Sequence, residues 1–348
     1  MKNILNKIRI KFNVILTNFL SPIMVKTSLT SSLFYLLFSS KFRREEQAVL
    51  AGRLKHLDES INNKSNLFVL IRNIHRIEKG LLMRPRRDLF ALDFIQETMD
   101  KFEKMYDPKF LTQNSQIKWA NDVLYEYFKK SGSHPILDKE RDRFNILSQS
   151  YVDATNIKSI PYMRIISQRP NLTYDDFFKL VKYRRSVRWF LQKKVSHELV
   201  DNAILAAIQS PSACNRQPFE YRIIDDPKIL KEVVDIPMGI KGYQDNIPMM
   251  VVVIGNLDAY FDERDRHVIY IDASLANMSF MLALEVQGLS SCSINWPDIE
   301  KLERRMSKAL SLEIHQRPIM CMAVGYPDPN GLVAYSEKRS LDEIRKYN

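Results

Sequence analysis

The sequence predicts an α+β fold in two parts: a basic, mainly helical region over residues 1–165 and a helix-flanked sheet sandwich over residues 166–348. Three observations predict it. The stretch 45–82 has few helix breakers, and residues 91–106 space Leu92, Phe94, Ile95, Met99, Phe102 and Met105 at near-helical intervals. Beyond residue 172, apolar runs of strand length alternate with helical patterns. Neither a G-x-G-x-x-G motif nor a phosphate-binding P-loop occurs, which disfavours a doubly wound nucleotide fold.

The elements follow in order. Ser131-Gly132-Ser133-His134-Pro135 is a turn, and 159–172, with Pro161 and Pro170, is a connector. Thr173 to Asp176 reads as a capping box opening a helix that carries Phe177, Phe178 and Val181. Ser196 caps a second helix, with Val200, Ala203, Ile204 and Ala207 on one face, and Pro211 stops it. Phe219 to Ile223 alternates as a half-buried strand does, and Met249 to Ile254 is apolar throughout, as a central strand is. Residues 263–287 suit a long buried helix ending at Gly288. Ser290 to Trp296 reads as a strand, 298–310 as a charged surface helix, and Ile319 to Val324 as another buried strand.

Charge is unevenly placed. The net charge is +11; residues 1–170 hold 29 basic and 17 acidic side chains, and the remainder holds 23 and 24. No acid precedes Glu45, whereas Lys2, Lys7, Arg9, Lys11, Lys26, Lys41, Arg43 and Arg44 are basic. The apolar patches Val14-Ile15-Leu16 and Leu33 to Phe38 are shorter than the ~20 residues that span a bilayer. The favoured reading is a pair of helices packed on the rest of the protein. Peripheral contact with an anionic membrane is the alternative. Nucleic-acid binding is disfavoured, because no known module occurs. The three cysteines are far apart and the six histidines show no ligand spacing, so neither a disulfide framework nor a metal site is indicated. A reducing, cytoplasmic setting fits.

Two segments carry chemistry. Arg184-Arg185-Ser186-Val187-Arg188-Trp189-Phe190 offers guanidinium forks and a hydroxyl, the groups that hold a phosphate. The same residues also suit a basic helix end complementing the macrodipole. Ser210-Pro211-Ser212-Ala213-Cys214-Asn215-Arg216-Gln217-Pro218-Phe219 offers small residues and two amides, which can match the polar edge of a planar ring. It also reads as an ordinary turn between helix and strand.

In type, order and separation the two segments resemble the signature segments of the FMN-dependent nitroreductase family. The resemblance runs from about Thr173 to Asn348 and includes Gly288-Leu289, Ser293 to Trp296 and Gly325-Tyr326-Pro327. It implies a mainly antiparallel central sheet flanked by helices, FMN as cofactor, and a homodimer with FMN at the interface. It also implies ping-pong transfer of hydride from NAD(P)H, through flavin N5, to a nitro, quinone or other conjugated small-molecule acceptor. Residue by residue, it assigns Arg184, Arg185, Ser186 and Arg188 to the FMN of one subunit. Pro211, Ser212, Ala213, Asn215 and Gln217 reach the FMN held mainly by the partner. Lys241 and Gln244 fall near the flavin O2 side, Asn295 and Trp296 near its reactive edge, and Lys338 and Arg339 return cations to the phosphate. No side chain is assigned a catalytic role. Alternatives are other flavin chemistry, of a destructase or dehalogenase kind, or a membrane- or assembly-docked flavoprotein with little turnover.

In the front half, His75, Glu78 and Lys79 share a helix face within Asn73 to Leu81, a run similar to one preceding some bacterial nitroreductase-like proteins. An interdomain ion-pair patch is the favoured reading, and a lid over the flavin is the other. Met83 to Arg87 reads as a solvated basic loop.

Overall fold

In the computed structural model, which describes residues 16–62, 66–108, 111, 114–148 and 158–348, four strands form one antiparallel sheet. They are β1 (Phe219–Ile224), β2 (Met249–Asn256), β3 (Ser290–Asn295) and β4 (Gln316–Gly325), in the order β1-β2-β4-β3. Side chains alternate across a strand, and β2 shows the result. Met249, Val251 and Val253 enter one apolar cluster, while Met250, Val252 and Ile254 enter another on the opposite face. A strand covered on both faces is apolar throughout, as expected of Met249 to Ile254. The register shifts between Val253 and Ile254, where β4 presents Pro318 opposite Ile254. Proline cannot donate to the ladder, so a bulge falls there.

Helices cover both faces. With the N-terminal helices numbered first, α1 is Ser28–Phe38, α2 Arg43–Ile61, α3 Leu67–Leu81, α4 Ile95–Met105, α5 Ser115–Lys130 and α6 Pro135–Ser148. The later ones are α7 (Tyr174–Tyr183), α8 (His197–Ala207), α9 (Pro227–Val234), α10 (Val268–Val286) and α11 (Glu300–Leu310). One sheet face packs on α8 and α10 through Val200, Ala203, Ala273, Ala276 and Phe280. The other packs on α9 and α11 through Val233, Val234 and Met306. The result is the expected α+β class, with an antiparallel sheet flanked by helices and a helical region before it.

A third core, separate from the sheet, joins α3 to α6 around Leu70, Ile74, Phe102, Tyr127 and Phe144. The stretch 45–82 is two helices. The break has a local cause: the Asn66 side chain accepts the Val69 N–H at 3.0 Å and starts α3. Thr173 caps α7 as expected, accepting the Asp176 N–H at 3.1 Å. The Asp176 carboxylate takes the Thr173 hydroxyl, not a backbone N–H. Ser196 precedes α8 but makes no side-chain cap bond.

One expectation changes. The N-terminal helices were expected to pack on the body, but α1 has no buried residue. The helix α2 does pack on the body: its Ala48 lies in the same core as α8 and α10. The expectations for Lys2, Lys7, Arg9, Lys11 and Val14-Ile15 fall outside the described residues.

Candidate functional site

The helix α7 ends at Tyr183, and Arg184 turns the chain out into an extended run along the free edge of β3. Ser186 pairs with Ser291 in a parallel bridge, and Val187 donates its N–H to the Ser291 carbonyl at 3.1 Å. Phe190 closes the run against Pro327, its N–H held by Asn246 Oδ1 at 2.5 Å. The backbone is therefore fixed. Arg184 Nε is buried without a hydrogen-bond partner, and so is Oγ of Ser291, the bridge partner of Ser186. Arg188 is exposed and lies 5.9 Å from the Tyr243 ring centroid. Arg185 is committed to the Tyr335 carbonyl at 2.8 Å.

One carboxylate answers this cationic edge. Burial pushes Glu285, in the last turn of α10, up to about 7. The Ser290 hydroxyl, which donates to it at 3.2 Å, and the Arg184 charge oppose that rise.

The second segment sits at the opposite edge of the sheet, leading into β1. Cys214, Asn215 and Gln217 all have positive φ, at 54°, 54° and 49°. Asparagine tolerates this region, whereas such a backbone costs the other two on the order of 1–3 kcal/mol each. Side chains from elsewhere hold the loop. Asp272 of α10 accepts the Ala213 N–H at 2.9 Å and the Tyr260 hydroxyl at 3.3 Å. Ser212 Oγ accepts the Gln217 N–H at 3.1 Å, and Arg216 is buried with its guanidinium 4.8 Å from the Tyr260 ring centroid. Burial raises the Asp272 carboxyl, and its two donors oppose the rise. Sequence reading missed Asp272 and Tyr260. The available signal was an acid inside an otherwise apolar helix.

The front half reaches this loop. The helix α3 packs on the Ala213–Asn215 turn. Between them and β1 opens a cleft of about 800 Å³, walled by Phe68 and Ile71 of α3 and by Asn215, Gln217 and Tyr221. The His75–Glu78 pair, at 3.8 Å, does not face the cleft, and Glu78 accepts the Trp119 indole N–H at 3.2 Å. That patch ties α3 to α5, so it is neither an interdomain contact nor a lid.

The remaining expected residues divide. Lys241 is exposed, two residues before Tyr243, whose ring Arg188 approaches. Gln244 is used locally, its Oε1 accepting the Gly242 N–H at 2.7 Å. Asn295 is exposed at the end of β3. Trp296 faces the other way: it is 8% exposed in the core, and its indole N–H is taken by Glu303 at 2.6 Å. Its expected place at a ring edge is corrected to a core position. Pro211 is exposed at the loop entrance. Lys338 and Arg339 lie on an exposed tail, three and four residues beyond the carbonyl that Arg185 binds. No cluster of metal-ligating side chains occurs among the described residues.

The fold and both segments point to one class of protein, and comparison with known proteins agrees. The nitroreductase family model matches residues 181–241 and 239–326 of the chain. A helical region precedes the match. Human iodotyrosine deiodinase 1 is 23% identical over 252 residues, covering 62% of this chain and 86% of the deiodinase. The iodotyrosine deiodinase of Haliscomenobacter hydrossis is 22% identical over 186 residues, covering 45% and 82%. Among solved structures, an FMN-dependent nitroreductase from Clostridium difficile R20291 is 21% identical with a TM-score of 0.42, covering 49% of this chain and 99% of the other.

Proposed function

We propose that the chain is an FMN-dependent NAD(P)H oxidoreductase that reduces a nitro, quinone or other conjugated acceptor and works as a homodimer. The observation that carries the reading is Arg184, a half-buried guanidinium whose Nε has no partner, two residues before Ser186, which bridges to Ser291, whose hydroxyl is also unpartnered. A buried donor without an acceptor is costly, and a phosphate with its three acceptor oxygens satisfies it. The residues therefore fit FMN, with Arg184, Ser186 and Arg188 as its phosphate ligands and Lys241 as a further cation at that edge.

When bound, FMN supplies the hydride exchange, which no side chain here can perform. The chain's own groups bind and orient. The opposite-edge placement of Ser212–Gln217 supports a site completed by a second copy, to which this loop offers its amides. Arg188 and Lys241 place positive charge where a reduced ring would accumulate negative charge. The cleft under α3 offers the acceptor an apolar wall in Phe68 and Ile71.

A second reading has its own support. The relatives named as iodotyrosine deiodinases favour reductive removal of a halide from a halogenated aromatic acceptor. Halide release and nitroaromatic reduction, both measured under NAD(P)H, separate the two. For the cofactor itself, Arg184→Ala with Ser186→Ala is expected to abolish flavin retention on gel filtration. The flavin-free variant should still fold and melt cooperatively, because Arg184 Nε has no hydrogen bond to lose and only its charge interaction with Glu285 goes. A double variant that keeps its full flavin would show that the phosphate lies elsewhere.

A further inference from the structure

We propose that the corner between α1 and α2 docks on an anionic phospholipid surface. The proposal does not rest on the flavin reading. The helix α1 is locally self-sufficient: Thr27 caps it, its hydroxyl accepting the Thr30 N–H at 3.2 Å. It nevertheless buries nothing against the body, and Leu29, Leu36 and Leu37 are 70%, 65% and 65% exposed. Contiguous exposed apolar surface of this kind marks an interaction site.

Polarity in α1 runs along the axis and not around it. The first turns carry Ser28, Thr30, Ser31 and Ser32, and the last carry Leu33 to Phe38. A helix made for a protein groove has one apolar stripe. Here the apolar end is a tip. Its aromatic rings pack on one another, Phe34 on Phe38 with centroids at 5.6 Å and Tyr35 on Phe42 at 4.6 Å. Immediately behind the tip stand the exposed Lys41 and Arg43, and Arg43 folds back to the Leu36 carbonyl at 3.4 Å.

Two further facts fix the occupant. Among the described residues no acid precedes Glu45, while Lys26, Lys41 and Arg43 are exposed before and after α1, so the complementary surface is anionic. The helix has 11 residues, about 16 Å of rise, roughly half a bilayer's hydrocarbon thickness. It therefore suits shallow insertion, with cations at the headgroups.

The experiment uses the full chain with vesicles of phosphatidylcholine alone or mixed with phosphatidylglycerol. Co-sedimentation is expected with the mixed vesicles only, and to fall severalfold at high salt. The neutral variant Leu33→Asn, Leu36→Asn, Leu37→Asn is expected to lose binding at least tenfold with unchanged unfolding midpoint and charge. Absence of wild-type binding to the mixed vesicles overturns the proposal. So does undiminished binding by the triple variant, which would make the attraction mere surface charge. If the wild type ignores vesicles, and the triple variant sediments as a smaller species, the tip is instead a contact between copies of this chain.

Discussion

Glu285 stands in the last turn of α10, half-buried, with one carboxylate oxygen carrying no hydrogen bond. Burial holds its proton up to about pH 7. The sign of its effect on stability follows. Below the ordinary carboxylate range both folded and unfolded chains hold the proton, and nothing is lost. Between that range and about 7 the unfolded chain releases its proton first, so stability falls as pH rises. Glu285→Gln keeps an acceptor for Ser290 and removes the charge. It is expected to stabilise the flavin-free protein at pH 8 by roughly 1–2 kcal/mol, discounted for partial exposure, and to change little at pH 4.5. Equal effects at the two pH values in urea titrations would contradict the assignment. Single residues also show what sequence could carry. Arg184 to Phe190 and Ser210 to Phe219 were readable because each is contiguous. Asp272 and Tyr260, which hold the second loop, lie some fifty residues away in the chain and meet it only through the fold. Trp296 was misread by adjacency, since neighbours on a strand face opposite sides, and Asn295 took the outer one.

At the scale of elements, the strands and α8, α10 and α11 were legible to within a few residues, because apolar periodicity marks what a sheet and its cover must bury. What α2 packs on was not. Its exposed and buried faces differ little in apolar character, and its docking is set by shape. Gly52 shows how. A Cβ there would stand 2.7 Å from the Leu257 backbone carbonyl carbon and from its Cβ. Alanine would gain about 1 kcal/mol of helix propensity, but the obstacle is backbone and cannot swing away. Overpacking of this kind costs about 1–3 kcal/mol. Gly52→Ala is therefore expected to destabilise the protein by up to about 2 kcal/mol, read as a lower urea midpoint. A stabilised variant would mean that α2 shifts freely on its seat.

For the whole molecule, the boundary expected near residue 165 marks a change in pattern and not a gap in packing. Across it, the His56 imidazole Nδ1 bonds the Asp258 carbonyl at 2.8 Å, and Lys55 pairs with Asp258 at 3.2 Å. Arg44 donates to the Ile314 carbonyl at 3.0 Å, and α3 lies on the turn that carries Asn215. A fragment of residues 166–348 would lose the cover over Leu257, Ala259 and the cleft beside β1. It would also leave Asp258 without its cation. Several kcal/mol go with these contacts, and each kcal/mol moves the melting temperature of a chain this size by about 2–4 °C. The full chain is thus expected to melt as one cooperative unit over its sheet and α2, and the fragment to melt at least about 10 °C lower or to aggregate. Flavin retention by the fragment should fall as well, because the strained Cys214–Gln217 backbone loses the helix that rests on it. If the fragment instead melted with the full chain and kept its flavin, the front half would be an appendage, and the wall it gives the cleft would carry no weight in choosing the acceptor.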